Sequence, residues 1–220
     1  MTLALTSETP SAAPHMGATS SIDDLMERAG VRMPFAKGEE IFGQDEAADM
    51  IHCVVSGAVR TTRLTSDGRR QIGDFYYPGD IISLEVGDTY RFSAEALSDC
   101  VIRVIKRASL DALNGDGGLD RTLWEATRRE LERTQEHLLM LGRKSACERV
   151  ASFLKDVAQR VGSEEVSLPM GRQDMADYLG LTIETVSRMV TQLQGSRIVE
   201  FANARQFRVT RWPALERLAA

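Results

Sequence analysis

The run from Arg172 to Arg188, RQDMADYLGLTIETVSR, constrains this chain more than any other stretch, because it reads as helix, tight turn, helix. Ala176 is small enough to let two helices approach each other. Gly180, four residues later, falls where such a turn needs a positive φ, and Val186, ten residues past Ala176, plugs the angle between the helices. Three residue types at these offsets predict a helix-turn-helix.

The second helix of the pair has two chemically distinct faces. At about 100° per residue from Glu184, Arg188 lies near 40° and Ser187 near 300°, whereas Val186, Met189, Val190 and Leu193 fall on the opposite side. In a DNA major groove an arginine grips guanine O6 and N7, a glutamate accepts from cytosine N4, and a serine hydroxyl serves a neighbouring base. The spacing of Glu184 and Arg188 also suits an ordinary surface ion pair between residues four apart, and Thr182 suits a helix cap with no further task. Downstream, 197–201 and 206–210 read as two strands around Ala202-Asn203-Ala204-Arg205, resembling the wing of a winged helix, with Arg205 and Arg208 either facing phosphates or simply solvated.

Net charge speaks against nucleic acid only on average. The 220 residues carry a formal −5, but residues 169–220 hold seven arginines against five carboxylates, so the acidity sits in the remainder. With 43% hydrophobic and 27% charged residues the chain has the makings of one or two globular domains. It has no apolar run long enough for a membrane span and no signal-peptide pattern, so the expected compartment is the cytoplasm. Cys53, Cys100 and Cys147 are evenly scattered with no C-x-x-C pair, and His15, His52 and His137 do not cluster. No metal site, no cofactor and no catalytic pattern is expected, and the chain does not read as an enzyme.

Organisation follows from composition and periodicity. Residues 1–19 form a Ser/Thr/Ala/Pro-rich arm, followed by a short helix capped by Ser20 or Ser21, with Ile22, Leu25, Met26 and Ala29 on one face and Gly30 at its end. From about Met33 to Arg107, short β-rich runs alternate with glycine turns, the pattern of a compact antiparallel barrel or roll. Between Gly118 and Gly142 there is no glycine or proline, and Trp124, Thr127, Leu131, Thr134, Leu138 and Leu141 recur at a period of 3.5. That seam suits a dimer, or a helix packed on its own barrel. A further helix follows, with Val150, Phe153, Leu154, Val157, Ala158 and Val161 on one face and its end near Gly162.

Taken together, these residues resemble the cyclic-AMP receptor and fumarate–nitrate-reduction regulator superfamily of transcription factors, in its FixK-like branch. In the β region the similarity rests on Lys37-Gly38-Glu39, 54–59 (VVSGAV) and Tyr77-Pro78-Gly79-Asp80; in the reader it rests on Leu168-Pro169-Met170 and on E-x-x-S-R, here Glu184, Ser187 and Arg188. The resemblance implies an α+β chain: a cyclic-nucleotide-binding-like β-roll (a jelly roll) over 20–117, a dimerisation helix over 118–143 and a winged helix-turn-helix over 144–220. It implies a homodimeric activator on double-stranded DNA that reads a TTGA-type palindrome, with Arg172, Gln173, Thr182 and Thr185 on backbone phosphates. Ile183 replaces the arginine that precedes the glutamate in the cyclic-AMP receptor pattern, and Gly171 stands where relatives offer a hydroxyl. The turn Ser66-Asp67-Gly68-Arg69 matches a loop that touches RNA polymerase in relatives.

The same comparison bears on the controlling signal. A cyclic-nucleotide receptor needs an Arg-Ser pair to hold the buried phosphate, and here Phe92 stands beside Ser93, with Arg91 one place earlier. The first 52 residues lack the cysteines of the cluster-bearing relatives. The expectation is a regulator that binds DNA without a small effector. The alternatives are a cyclic nucleotide or haem in the roll, or thiol control through Cys147.

Overall fold

The computed structural model describes residue 27 and residues 30–66, 68–82, 84–85, 87–109 and 118–220. The arm, the short helix that follows it, and Asp67 of the polymerase-contact turn lie outside the described residues, as does the stretch from 110 to 117.

Eight strands build the first layer pair: β1 (Val31–Phe35), β2 (Glu40–Phe42), β3 (Met50–Ser56), β4 (Val59–Leu64), β5 (Arg70–Tyr76), β6 (Ile81–Ile82), β7 (Ser93–Ala96) and β8 (Cys100–Lys106). They form two four-stranded antiparallel sheets in the orders β1-β8-β3-β6 and β2-β7-β4-β5, which is the predicted roll. The turn between β3 and β4 shows why glycine is required there. Gly57 has a φ of 87°, and an added Cβ would lie 2.5 Å from the Asp99 carbonyl oxygen and 2.6 Å from Cys100 Sγ.

The roll has a filled interior. Phe42 stacks on Tyr90 at 4.0 Å between ring centroids and tilts against His52 at 4.8 Å, with Val54, Val59, Ile82 and Ile102 buried around them. Cys53 and Cys100 are buried packing residues, and the Cys100 thiol donates to the Ala58 carbonyl at 3.2 Å.

The helical half begins with α1 (Gly118–Arg143), the glycine- and proline-poor run of the sequence. α2 (Ala146–Val161) follows, capped by Ser145 in a capping box with Glu148 and ended by Gly162 at a φ of 64°. Five residues of the predicted α2 face (Val150, Phe153, Leu154, Val157 and Ala158) are buried, whereas Val161, at the last turn, is exposed. Then come β9 (Val166–Ser167), α3 (Arg172–Leu179), α4 (Ile183–Gly195), β10 (Val199–Phe201), β11 (Gln206–Val209) and α5 (Trp212–Ala219). The predicted wing is present as β10 and β11, and β9 adds a third strand to it in the order β10-β11-β9. Two residues joining a sheet through partners forty positions away carry no periodic signal of their own.

α1 carries two stripes. Ala126 packs on Ile51, Cys53, Ile81 and Ile105 of the roll, and farther along Met140 enters the core shared with α2. The seam is the other stripe. Trp124 is 70% exposed, Leu131 56% and Leu138 70%, and Thr127 and Thr134 are exposed with their hydroxyls bonded back to the carbonyls of Leu123 and Glu130. Leu141 departs from this pattern: it is half-buried, and it lines the turn at Gly180. Packing on its own barrel therefore accounts for the first stripe and not for the seam.

Beside that apolar core, charged side chains of β5, α1 and α2 gather. Asp74 lies 3.9 Å from Arg133, which reaches Asp80 at 3.3 Å and Glu130 at 2.8 Å, while Arg160 reaches Asp80 at 3.5 Å and Asp156 at 3.0 Å. Asp74 also lines a cleft of about 670 Å³ between α1 and α2. Burial pushes its carboxyl up to about 6, against the pull of Arg133 and Arg160. The folded chain thus holds the Asp74 proton more tightly than the unfolded chain, for which the ordinary value is 3.8. This contribution is complete at acid pH and is lost as pH rises through about 6. Denaturant midpoints of wild type and Asp74→Asn between pH 4 and 7 should therefore diverge in favour of Asn, by on the order of 2 kcal/mol. Parallel curves would refute the assignment.

Candidate nucleic-acid interface

The helix-turn-helix forms for the reasons legible in its residues. Ala176 and Val186 are fully buried, and Gly180 adopts a φ of 61° and ψ of 39° at the end of α3. The Gly180 N–H donates to the Ala176 carbonyl, as does that of Leu181 at 2.9 Å, which closes the corner. Arg149 of α2 fastens it from behind. Its guanidinium donates to the carbonyls of Leu179 at 3.0 Å and Leu141 at 2.7 Å, and its Nε to that of Lys144 at 2.9 Å. Sequence reasoning passed over Arg149, because its partners are backbone oxygens on other elements.

Thr182 caps α4, its hydroxyl accepting from the Thr185 N–H at 3.3 Å. Val186, Val190 and Leu193 are buried and Met189 is half-buried, while Glu184, Ser187 and Arg188 are exposed on the opposite arc. No ion pair joins Glu184 to Arg188 among the described residues, so the alternative use of their spacing is not realised. Hydrogen bonds from its own backbone N–H and from the Thr182 hydroxyl hold the Glu184 carboxyl below its ordinary range, which fits an acceptor at a helix N-terminus. The arc presents one anionic acceptor, one hydroxyl and one guanidinium to solvent.

The four predicted phosphate ligands flank that arc. Arg172 is half-buried, with its guanidinium 4.6 Å over the Phe201 ring; one of its terminal nitrogens, Nη1, is buried with no hydrogen-bond partner, and desolvation lowers its pKa. Gln173 is exposed and donates to Asp177 Oδ1 at 2.7 Å. Thr182 is exposed and Thr185 half-buried, their hydroxyls 3.2 Å apart. The two wing arginines do not share a role. Arg205 donates to the Pro169 carbonyl at 2.7 Å and lies beside Gly171, its Nη2 3.8 Å from where a Cβ there would stand. Arg208 is neither free nor merely solvated: register places it opposite Glu200, and the two form an ion pair at 2.6 Å.

Arg91, Phe92, His52 and His137 are each engaged by packing or by other bonds. Arg91 turns outward to Glu85 at 3.0 Å, and Phe92 closes on Gly73, where an added Cβ would lie 2.9 Å from its ring. His52 is buried against Phe42, and burial lowers its pKa to about 4. His137 stacks on Tyr178 at 4.1 Å with Nε2 2.9 Å from the Tyr178 carbonyl. Burial and the Glu148 charge push the Cys147 thiol up, the opposite of a reactive thiolate. Among the described residues a buried phosphate would find no Arg-Ser pair, so these residues do not fit a cyclic nucleotide.

Two family descriptions match the chain: a Crp-like helix-turn-helix domain over residues 148–218 and a cyclic nucleotide-binding domain over residues 32–114. A nitrogen fixation regulation protein FixK from Azorhizobium caulinodans is 48% identical over 196 residues, covering 86% of this chain and 79% of the relative. The transcriptional activatory protein AadR of Rhodopseudomonas palustris is 37% identical, covering 79% and 75%. Among solved structures, that of FixK2 from Bradyrhizobium japonicum superposes with a TM-score of 0.83 at 45% identity, covering 87% of this chain and 98% of that one.

Proposed function

Since this chain belongs to the Crp/Fnr superfamily of DNA-binding transcription regulators, in its FixK-like branch, we propose that it acts as a homodimeric activator that reads a TTGA-type palindrome without a small effector. Two copies of α4 enter successive major grooves about 34 Å apart. On each, Arg188 grips guanine O6 and N7, Glu184 accepts from cytosine N4 and Ser187 serves the adjacent base. Arg172, Gln173, Thr182 and Thr185 hold the backbone and fix the register without reading sequence.

The observation that carries this reading is the exposed arc of Glu184, Ser187 and Arg188, set opposite the buried face of α4. The name of the relative AadR, a transcriptional activatory protein, supports the activator role. The filled roll and the outward Arg91 support independence from a cyclic nucleotide. In this reading the roll is residues 20–117, the dimerisation helix 118–143 and the reader 144–220. The exposed turn bearing Ser66, Gly68 and Arg69, together with Asp67, meets RNA polymerase. The site of action is the cytoplasm, where the DNA is; no described helix is long and apolar enough to cross a membrane.

The test is titration of reduced, metal-free protein against a labelled duplex carrying the palindrome and a scrambled one, at two salt concentrations with no ligand added. The expected result is selective binding that weakens with salt for both duplexes but keeps its preference. Equal, salt-sensitive binding to both would refute the proposal.

A further inference from the structure

The helix-turn-helix is fastened to the roll by charge as well as by the chain that connects them. α3 lies against β5, and two arginines of the roll reach across to it. Arg60 of β4 donates from Nη1 to Asp174 Oδ1 at 2.5 Å, while Glu95 of β7 holds its Nη2 at 2.9 and 3.0 Å. Arg70 of β5 donates from Nε and Nη2 to Asp177 Oδ2 at 2.9 and 2.6 Å, and from Nη2 to Asp174 Oδ1 at 2.8 Å. Asp174 also accepts the Gly171 N–H at 3.3 Å, tying the clamp to the first turn of α3. All five charged side chains are largely enclosed, from 11% exposed at Asp174 to 33% at Glu95.

Such pairs add little to stability, since desolvation offsets most of the attraction, but their geometry is exacting. An apolar contact between α3 and β5 tolerates sliding; a fork of N–H donors on two carboxylates does not. The carboxylates also stand on the same helix as Arg172 and Gln173, and Asp177 holds the Gln173 amide.

We infer that Arg60 and Arg70 are positioning residues for DNA reading, which hold Asp174 and Asp177 so that the roll fixes the orientation at which each protomer presents α4. The inference rests on the dimeric reading above. α4 is rigidly joined to α3 through the buried Ala176 and Val186, so an orientation imposed on α3 is passed to the reading arc. A dimer gains from its second half-site only if both reading helices stand at the required separation and tilt.

The experiment compares wild type, Arg60→Ala/Arg70→Ala and the charge swap Arg70→Asp/Asp177→Arg on duplexes with a single half-site and with two half-sites whose spacer varies by one and two base pairs. Circular dichroism and melting establish that each variant is folded, with Arg70→Ala alone standing in if the double variant is not. The alanine variant should bind the preferred spacing about tenfold more weakly and discriminate poorly among spacers, while its single-half-site affinity stays within about twofold. The swap re-forms the 70–177 pair while Arg60 still holds Asp174, so it should keep a spacer preference that the alanine variant lacks. An unchanged spacer profile in the alanine variant would overturn the inference, as would tighter binding, which would make the pairs a restraint on the reader. A wild type that lacks base preference would overturn the α4 reading itself, and this inference with it. That result is distinct from a flat spacer profile with base preference intact.

Discussion

Leu131→Glu/Leu138→Glu should give a folded monomer that binds the palindrome at least about a hundredfold more weakly than wild type, because avidity from a second half-site is worth that much or more. Both leucines project from α1 on the side away from the roll, at 56% and 70% exposure, so the substitutions cost the isolated protomer almost nothing. In a paired seam each leucine would bury surface worth about 2 kcal/mol, and two copies of each would meet at the axis. A glutamate there adds like charges facing each other across that axis. Sedimentation reads the oligomeric state, duplex titration reads the affinity, and the melting temperature checks the fold. A dimer that survives both substitutions would show that the seam at Trp124, Thr127, Leu131, Thr134, Leu138 and Leu141 is not the interface.

Arg188→Ala should lower affinity for the cognate palindrome by about 1–3 kcal/mol per half-site and relax the preference at one guanine position. Arg188 is exposed, with no ion pair to Glu184, so melting should not change. The discriminating readout is a panel of duplexes with each base of the half-site varied in turn. Loss confined to one position identifies the base that Arg188 reads. A uniform loss across the panel would make it a phosphate ligand instead, and an unaltered preference would remove it from the site.

What the sequence disclosed and what it concealed divide along physical lines. Ala176, Gly180 and Val186 were legible because a tight corner admits few residue types at fixed local offsets, and each sits as those offsets require. The glycine turns of the roll, the Gly162 end of α2 and the Thr182 cap of α4 were local in the same sense. The partners of Arg60 and Arg70 were not legible: Asp174 lies 114 residues from Arg60, and nothing in either neighbourhood specifies the other. The stacking of Phe42 on Tyr90 depends likewise on how β2 and the loop before β7 meet inside the roll. Arg208 was open to either reading until register set it opposite Glu200. Leu141 differs from the rest of the seam in being half-buried beside Gly180, a contact that local periodicity does not carry.

The largest apolar cluster has a consequence for how the molecule comes apart. It runs without a break from Ala58, Ile72 and Phe75 of the roll, through Phe153 and Leu154 of α2, to Met175, Val186 and Leu193 of the reader, and Tyr178 joins it by rings on Phe75, Phe153 and His137. Modules with separate cores melt in separate steps, whereas here neither half can open without exposing apolar surface of the other. Heat or denaturant should therefore meet a single cooperative transition. A cavity made in the roll at Phe75 would be felt at the recognition helix as a larger population of unfolded chains rather than as a weaker contact. The roll then serves the reader as its foundation.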